Sequence, residues 1–404
     1  MNIKRTYGTN MPKTIYLDNA ATTAVKREVF DAMAPYFTEQ YGNPSSIHEF
    51  GARCGVACDE ARAKVAKVIG ANPQEIYFTS GGTESDNWAI KSTAYAKKEK
   101  GRHIITTRIE HHAVMETCEF LKRDGFDVTF LDVDDQGLVD PAKLEAAIRP
   151  DTILISVIYA NNEIGTVQPI AEIGRIARAR GVLFHTDAVQ AFGHVPIDVD
   201  AENIDLLSAS GHKIHGPKGI GFLYMRKGVK LPPLMHGGHH ERGRRAGTLN
   251  VPGIVGLGKA AEIAGAEMAA NAERVTALRD RLIKGMLSEI PHSRLNGHPT
   301  KRLPGNANLS FRFVEGESLL MMVDEKGVSA STGSACASGS LDPSHVLLAI
   351  GLPHEIAHGS LRFSLSEDNT EEEIDYAVEA VREVVERLRS MSPLYEDAVK
   401  AGGA

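Results

Sequence analysis

Cys336 lies in Ser331-Thr-Gly-Ser-Ala-Cys336-Ala-Ser-Gly-Ser340, a lone thiol among small residues. Gly333 and Gly339 open backbone conformations closed to other residues, and no bulky side chain is present to anchor the stretch in a core. A thiolate on such a segment is a strong nucleophile that can reach into a pocket built elsewhere. The same composition also describes a solvated Gly/Ser linker with an incidental cysteine. The choice between the two depends on the rest of the chain.

Three other groups carry potential chemistry. Thr79-Ser-Gly-Gly-Thr-Glu-Ser-Asp-Asn87 places Gly81 and Gly82 in a tight turn, with Thr83 opening a helix and Asp86 three residues on, close to a capping box. Free amides and the helix dipole make such a start a phosphate site, although a plain capped helix has the same pattern. In Phe184-His-Thr-Asp187-Ala-Val-Gln190, Asp187 ends an apolar strand and needs a cationic or hydrogen-bonding partner. Gln190 can face the same place if a turn of helix begins there; an N-cap aspartate is the plainer alternative. In Leu207-Ser-Ala-Ser210-Gly-His212-Lys213, Ser210 and His212 offer donors and Lys213 an amine. A lysine held against an apolar sheet can form Schiff bases, whereas a solvated turn lysine cannot. A Schiff-base lysine, a carboxylate for a pyridinium nitrogen and a glycine-rich phosphate cup are together what pyridoxal phosphate requires.

These groups must be positioned by regular elements. Short β-branched runs predict strands at Glu75–Thr79, His103–Thr106, Val128–Leu131, Thr152–Val157, Val182–Thr186, Leu206–Ala209 and Ile220–Tyr224. Helical patterns fall between most of them, at Glu84–Lys97, Ala113–Arg123, Pro141–Ile148 and Pro169–Arg180. The alternation predicts an α/β fold with a mostly parallel sheet covered on both faces. In such folds ligands sit beyond the carboxyl ends of the strands. A long helix, Val255–Leu287, then leads to Asn306–Phe313, the Cys336 segment, a strand at Ser360–Leu365 and a final helix, Thr370–Ser390. The expected division is a large domain, 15–260, and a smaller α+β domain, 261–404, joined by the N-terminal segment 1–14 and carrying a cysteine loop at about 327–341.

The composition, 42% hydrophobic and 24% charged over 404 residues, is that of a globular chain able to bury a core. A net charge of -7 argues against nucleic-acid binding, and no apolar run approaches the ~20 residues of a membrane span. The basic N-terminus lacks an apolar signal region, and four cysteines form no disulfide framework, so a reducing, cytoplasmic setting is expected. Cys54 and Cys58, four apart, fit small residues packing on one helix face.

Over nearly its whole length the sequence resembles the class V aminotransferase-like, fold-type I enzymes, and among them the NifS/IscS cysteine desulfurases. The resemblance rests on Tyr16-Leu-Asp-Asn-Ala-Ala-Thr-Thr23, Gly42-Asn-Pro-Ser-Ser46, Ser80-Gly-Gly-Thr-Glu-Ser-Asp-Asn87, Glu110-His111, Asn161-Asn-Glu-Ile-Gly165 and His185-Thr-Asp-Ala-Val-Gln190. It continues through Ser210-Gly-His-Lys213, the run His236 to Thr248, Gly333-Ser-Ala-Cys336 and Leu361-Arg-Phe-Ser364. The long Gly/Ser-rich cysteine segment is similar to this group rather than to the one with a short, ordered cysteine loop. The tail after Ser392 does not match the extended scaffold-binding segment of IscS-type enzymes.

The resemblance implies pyridoxal 5'-phosphate held by Lys213 as a Schiff base, with Asp187 on the pyridinium nitrogen, His111 stacked on the ring and Gln190 on the phenolic oxygen. Gly82, Thr83, Ser210 and His212 would hold the phosphate, joined by Thr248 of a second subunit in a homodimer. Asn162 and Arg362 would bind the substrate carboxylate. The implied reaction takes L-cysteine to L-alanine: Lys213 removes the Cα proton, and the Cys336 thiolate takes the sulfur as a persulfide. An iron–sulfur scaffold or other sulfur-acceptor protein would be the partner. A selenocysteine lyase or another class V enzyme that never uses Cys336 is the alternative.

His354-Glu-Ile-Ala-His358 matches the H-E-x-x-H zinc pattern. Pro353 and Gly359 leave it barely one turn, and no third ligand is evident, so no metal site is expected.

Overall fold

The computed structural model describes residues 14–332 and 343–400. After a two-residue strand β1 (Ile15–Tyr16) come β2 (Ile76–Thr79), β3 (His103–Thr107), β4 (Asp127–Leu131), β5 (Thr152–Ser156), β6 (Leu183–Asp187), β7 (Leu206–Ser210) and β8 (Gly221–Met225). The last seven form one sheet in the order β2-β8-β7-β6-β5-β3-β4. β8 is antiparallel to both neighbours, and the remaining pairs are parallel. Every residue of β3, β5, β7 and β8 is buried, as a sheet covered on both faces demands. Six of the seven strands therefore run the same way, and β2, β3, β5, β6 and β7 end along one edge. The sequence anticipated each of these strands to within a residue, but not the reversal of β8.

A second sheet orders β12 (Ser360–Ser364), β10 (Asn306–Phe311) and β9 (Ser293–Asn296), all antiparallel. β1 pairs in parallel with β11 (Val328–Ser329), so Ile15 and Leu17 pack in the core built around β10 and β12. Helix Val251–Glu289 spans both cores: Ile254 and Leu257 belong to the first, Leu278 and Leu282 to the second. It starts four residues earlier than the hydrophobic pattern predicted. Pro252 and Gly253 fall in its first turn, where proline is tolerated, and the Asn250 side chain caps the Gly253 amide at 3.1 Å. Within the stretch 306–313, β10 stops at Phe311, and Phe313 takes a left-handed φ of 68°.

Cys54 and Cys58 are buried on helix Glu49–Val68, and burial pushes the Cys58 thiol up to about 12, as expected of packing residues. No described helix is long and apolar enough to cross a membrane.

Candidate active site

Parallel strands deliver their following residues to a common edge, and the sequence-predicted groups meet there. β6 ends on Asp187, which is 4% exposed and accepts the Val189 amide at 2.9 Å through Oδ1. β7 ends on Ser210, and a single 3-10 turn, Gly211–Lys213, carries His212 and Lys213 beyond it. Lys213 Nζ donates to the carbonyls of Ala20 and Ala21 at 2.5 and 2.8 Å. Gln190 Nε2 donates to the same Ala20 carbonyl at 2.9 Å. The turn after β1 thus gathers the amine and the amide on one oxygen.

His111 follows β3 and caps helix His112–Arg123, its Nδ1 accepting the Ala113 amide at 3.1 Å. Ring and carboxylate atoms of His111, Asp187 and Asp86 lie within 4.8 Å of one another. Burial lowers the His111 pKa, so the ring is predominantly neutral. Burial raises both aspartates; the Asp187 charge raises Asp86 further, whereas His111 and Lys213 draw Asp187 back down. Asp86 is 1% exposed and its Oδ1 has no hydrogen-bond partner. His185, 3.6 Å from Asp86 Oδ1, brings no charge: burial pushes it to about 3, and its nitrogens meet Ser156 and Ser208 hydroxyls at 2.8 and 3.0 Å.

The glycine turn differs from the expected capping box. Helix Gly82–Lys97 begins one residue before Thr83, with Gly81 at the cap position and no side chain capping it. Gly81 has a φ of 151°, and its carbonyl accepts the Ser85 amide at 3.2 Å, closing the first turn early. Glu84 takes the Ser80 amide at 2.7 Å, and Asp86 turns inward toward Asp187 instead. A Cβ on Gly82 would come 2.5 Å from Val189 Cγ2, and one on Gly81 3.7 Å from Ser210 Oγ. The helix start is therefore pressed against the ends of β6 and β7. His212 Nδ1 lies 3.1 Å from Thr22 Oγ1, and burial pushes its pKa down to about 4.

Arg362, on β12 and 3% exposed, reaches the same edge from the second sheet. Nη1 donates to the Asn162 carbonyl at 3.1 Å and Nη2 to Asp18 Oδ1 at 2.8 Å, while Nε has no hydrogen-bond partner. Thr248 is exposed in the turn ahead of helix Val251–Glu289, and its expected role depends on a second subunit. Cys336 lies outside the described residues.

Sequence reasoning passed over Asp18, Asp86, Glu110 and Glu163 as functional groups. All four lie inside motifs already singled out, but their importance comes from what they face, which adjacency along the chain does not reveal. His354–His358 is a five-residue helix with His354, Glu355 and His358 exposed.

The donor set suits pyridoxal phosphate better than a metal. Two buried carboxylates lie beside a neutral imidazole with the Lys213 charge drawing Asp187 down, and Asp86 Oδ1 has no hydrogen-bond partner, so a further positive N–H fits there. A pyridinium N–H supplies that charge, an amine stands ready for an aldehyde, and a crowded helix start offers amides to a phosphate.

The aminotransferase class-V family model matches residues 15–377. The cysteine desulfurase IscS of Methanosarcina thermophila is 61% identical over 382 residues, covering 95% of this chain and 94% of the relative. Among solved structures, a NifS-like protein superposes with a TM-score of 0.87 at 41% identity, covering 93% of this chain and 100% of its own. SspA in complex with cysteine superposes at 0.80, also 41% identical, covering 88% and 100%. The chain therefore belongs to the aminotransferase class-V family and, within it, to the pyridoxal-phosphate-dependent cysteine desulfurases of the NifS/IscS group.

Proposed function

We propose that the chain converts L-cysteine to L-alanine with its sulfur passing to Cys336, and that the residues gathered at the strand edge take the following roles. The observation that carries the assignment is the meeting of Lys213, Gln190 and Arg362 around the turn 18–22, with Asp187 close enough to Lys213 to respond to its charge and gathered with His111 and Asp86. The likeness to named cysteine desulfurases and to SspA with cysteine supports the substrate.

Pyridoxal phosphate, when bound, supplies an electron sink that acidifies the substrate Cα–H and weakens its bond to sulfur. Lys213 would hold the cofactor through Nζ, and the same amine would take the substrate Cα proton, general-base help worth roughly 10²–10⁴-fold. Asp187 keeps a proton on the pyridinium nitrogen, a charged hydrogen bond worth roughly 1.5–3 kcal/mol. His111 covers the ring as a neutral imidazole, and Gln190 bonds the phenolic oxygen. Gly82, Thr83, Ser210 and His212 hold the phosphate, with Thr248 from a second copy of the chain. Arg362, oriented by Asp18, binds the substrate carboxylate together with Asn162. The Cys336 thiolate would form an S–S bond to the substrate sulfur as the C–S bond breaks; the bonding pair stays with Cβ, which takes up a proton, and the carbon skeleton leaves as alanine.

In this reading a large unit, 15–260, holds the cofactor and a smaller one, 261–404 with segment 1–14, carries the cysteine segment. The enzyme works as a cytoplasmic homodimer and hands sulfur to an acceptor protein for iron–sulfur cluster assembly. The test is sulfide and alanine release from L-cysteine by wild type and Cys336→Ala, with reductant. Equal sulfide and alanine from wild type, both lost in the variant while cofactor absorbance remains, support the reading. Activity retained by Cys336→Ala would sink it in favour of a lyase or aminotransferase that leaves Cys336 idle.

A further inference from the structure

The segment bearing Cys336 leaves the described structure just after Ser331 and re-enters it just before Ser344, and both ends are fastened. Ser331 forms an antiparallel bridge with Arg362: its amide donates to the Arg362 carbonyl at 3.1 Å, and the Arg362 amide donates back at 2.6 Å. At the other end, the Ser344 hydroxyl accepts the amides of Val346 and Leu347 at 3.1 and 3.3 Å, capping helix His345–Ala349. Its own proton goes to Glu163 Oε2. Glu163 and Ser344 are 4% and 6% exposed, so neither group can turn to water instead.

The Glu163 carboxylate has two neighbours of consequence: the Ser344 hydroxyl it holds, and Arg362, whose charge draws its pKa down against burial. The Glu163 backbone is already satisfied, with the amide on Asn161 Oδ1 at 2.9 Å and the carbonyl accepting Asn306 and Asn308 side-chain amides at 3.1 and 3.3 Å. Burial lifts the carboxyl to about 7, so keeping it there has a cost that an apolar residue would not incur. The residue before it, Asn162, holds Arg362 Nη1 through its carbonyl at 3.1 Å. One loop, Asn161–Glu163, thus reaches Arg362 with one residue and Ser344 with the next. Arg362 in turn holds Ser331.

We propose that Glu163 is a positioning residue for sulfur transfer: it pins the C-terminal foot of the cysteine segment to the loop that, through Asn162, also steadies the substrate-binding arginine. Both feet are then referenced to the substrate carboxylate site, which narrows where the thiol is delivered without any contact between Glu163 and substrate. The proposal rests on the reading of Cys336 as the sulfur acceptor.

The test uses cofactor-loaded enzyme in single turnover, reading persulfide on Cys336 and, separately, cysteine affinity from the cofactor absorbance change. Ser344→Ala and Glu163→Met each slow persulfide formation about tenfold or more, while in Ser344→Ala, which leaves the Glu163 charge beside Arg362, cysteine affinity stays within about twofold. The double variant is no worse than the worse single one, because both remove the same bond. Ser344→Thr, which keeps the hydroxyl, recovers most of the rate. If one single variant fails to load cofactor, the other decides. A persulfide rate within twofold of wild type, fully additive losses, or an equal fall in cysteine affinity in Ser344→Ala overturns the proposal. Cys336→Ala run alongside separates the two levels: if it still releases sulfide at the wild-type rate, the acceptor reading fails and the positioning role falls with it. If Cys336→Ala is inactive and Ser344→Ala is unimpaired, only the positioning role fails.

Discussion

Arg362 Nη2 donates to Asp18 Oδ1 at 2.8 Å, joining β12 of the second sheet to the turn that follows β1. The arginine is 3% exposed, so its charge has little water to fall back on, and Asp18 supplies the compensating carboxylate. The same bond sets the plane of the guanidinium. Arg362→Ala is expected to raise the KM for cysteine by about 100-fold or more, the scale of two charge-assisted hydrogen bonds. Asp18→Asn keeps the shape but drops the charge and raises KM about tenfold with a smaller change in kcat. Sulfide release across a cysteine series measures both. An unchanged KM in Asp18→Asn would remove the orienting role from Asp18.

Lys213 Nζ rests on two carbonyl oxygens, those of Ala20 and Ala21. Borohydride is expected to fix pyridoxal phosphate permanently to wild type and not to Lys213→Ala. Sulfide release by the variant falls by at least roughly 10²–10⁴-fold. Peptide mass mapping of the reduced protein shows the attachment point, and a modified peptide lacking Lys213 would end the assignment.

Glu110 is 1% exposed; its Oε1 accepts the Thr107 hydroxyl at 2.6 Å and the Ile158 amide at 2.9 Å, while Oε2 has no partner. Burial lifts its pKa from 4.5 to about 8, so the folded chain binds this proton more tightly than the unfolded chain. The associated stability is fully present below about pH 4.5 and is lost as pH rises toward about 8. Glu110→Gln cannot ionise. Its Tm relative to wild type is therefore expected to climb between about pH 5 and pH 8 and then level off. Thermal unfolding at matched cofactor content checks this, and a difference that is flat or falls with pH would contradict it.

Arg62 and Glu241 form a buried two-point ion pair, at 2.8 and 2.7 Å, and Glu241 also accepts the Phe78 amide at 2.9 Å. Each residue is 5% exposed. Glu241 and Arg242 both hold positive φ, 46° and 59°, in the loop that leads to Thr248. Glu241→Ala leaves the buried guanidinium with only the Ile76 carbonyl at 2.7 Å and the exposed Asp59 carboxylate at 3.6 Å, and is expected to cost about 3–5 kcal/mol of stability. Urea unfolding measures it, and a loss under 1 kcal/mol would mean that the loop relaxes and lets water reach Arg62.

The sequence by itself determined the central sheet and the identity of its chemical groups. Apolar β-branched runs alternating with amphipathic stretches leave few packings besides a covered, mostly parallel sheet, and parallel strands bring their ends together. That is why Asp187, Ser210 and Lys213 were legible from motif and strand end alone. Only the tertiary structure decided which residues face each other across that edge. Asp86 read as part of a helix cap because its partner Asp187 is 101 positions away, and it turns inward because Gly81 closes the first turn early. Asp18 read as one letter of a motif because Arg362 arrives on another sheet. β8 reverses direction after the connection 211–220 from β7, which carries Lys213 and whose course local patterning does not encode. Periodicity reports which face of an element is apolar. Charge pairing, buried protons and the anchoring of both feet of the cysteine segment depend on long-range packing, and one-dimensional patterns carry no distance between elements.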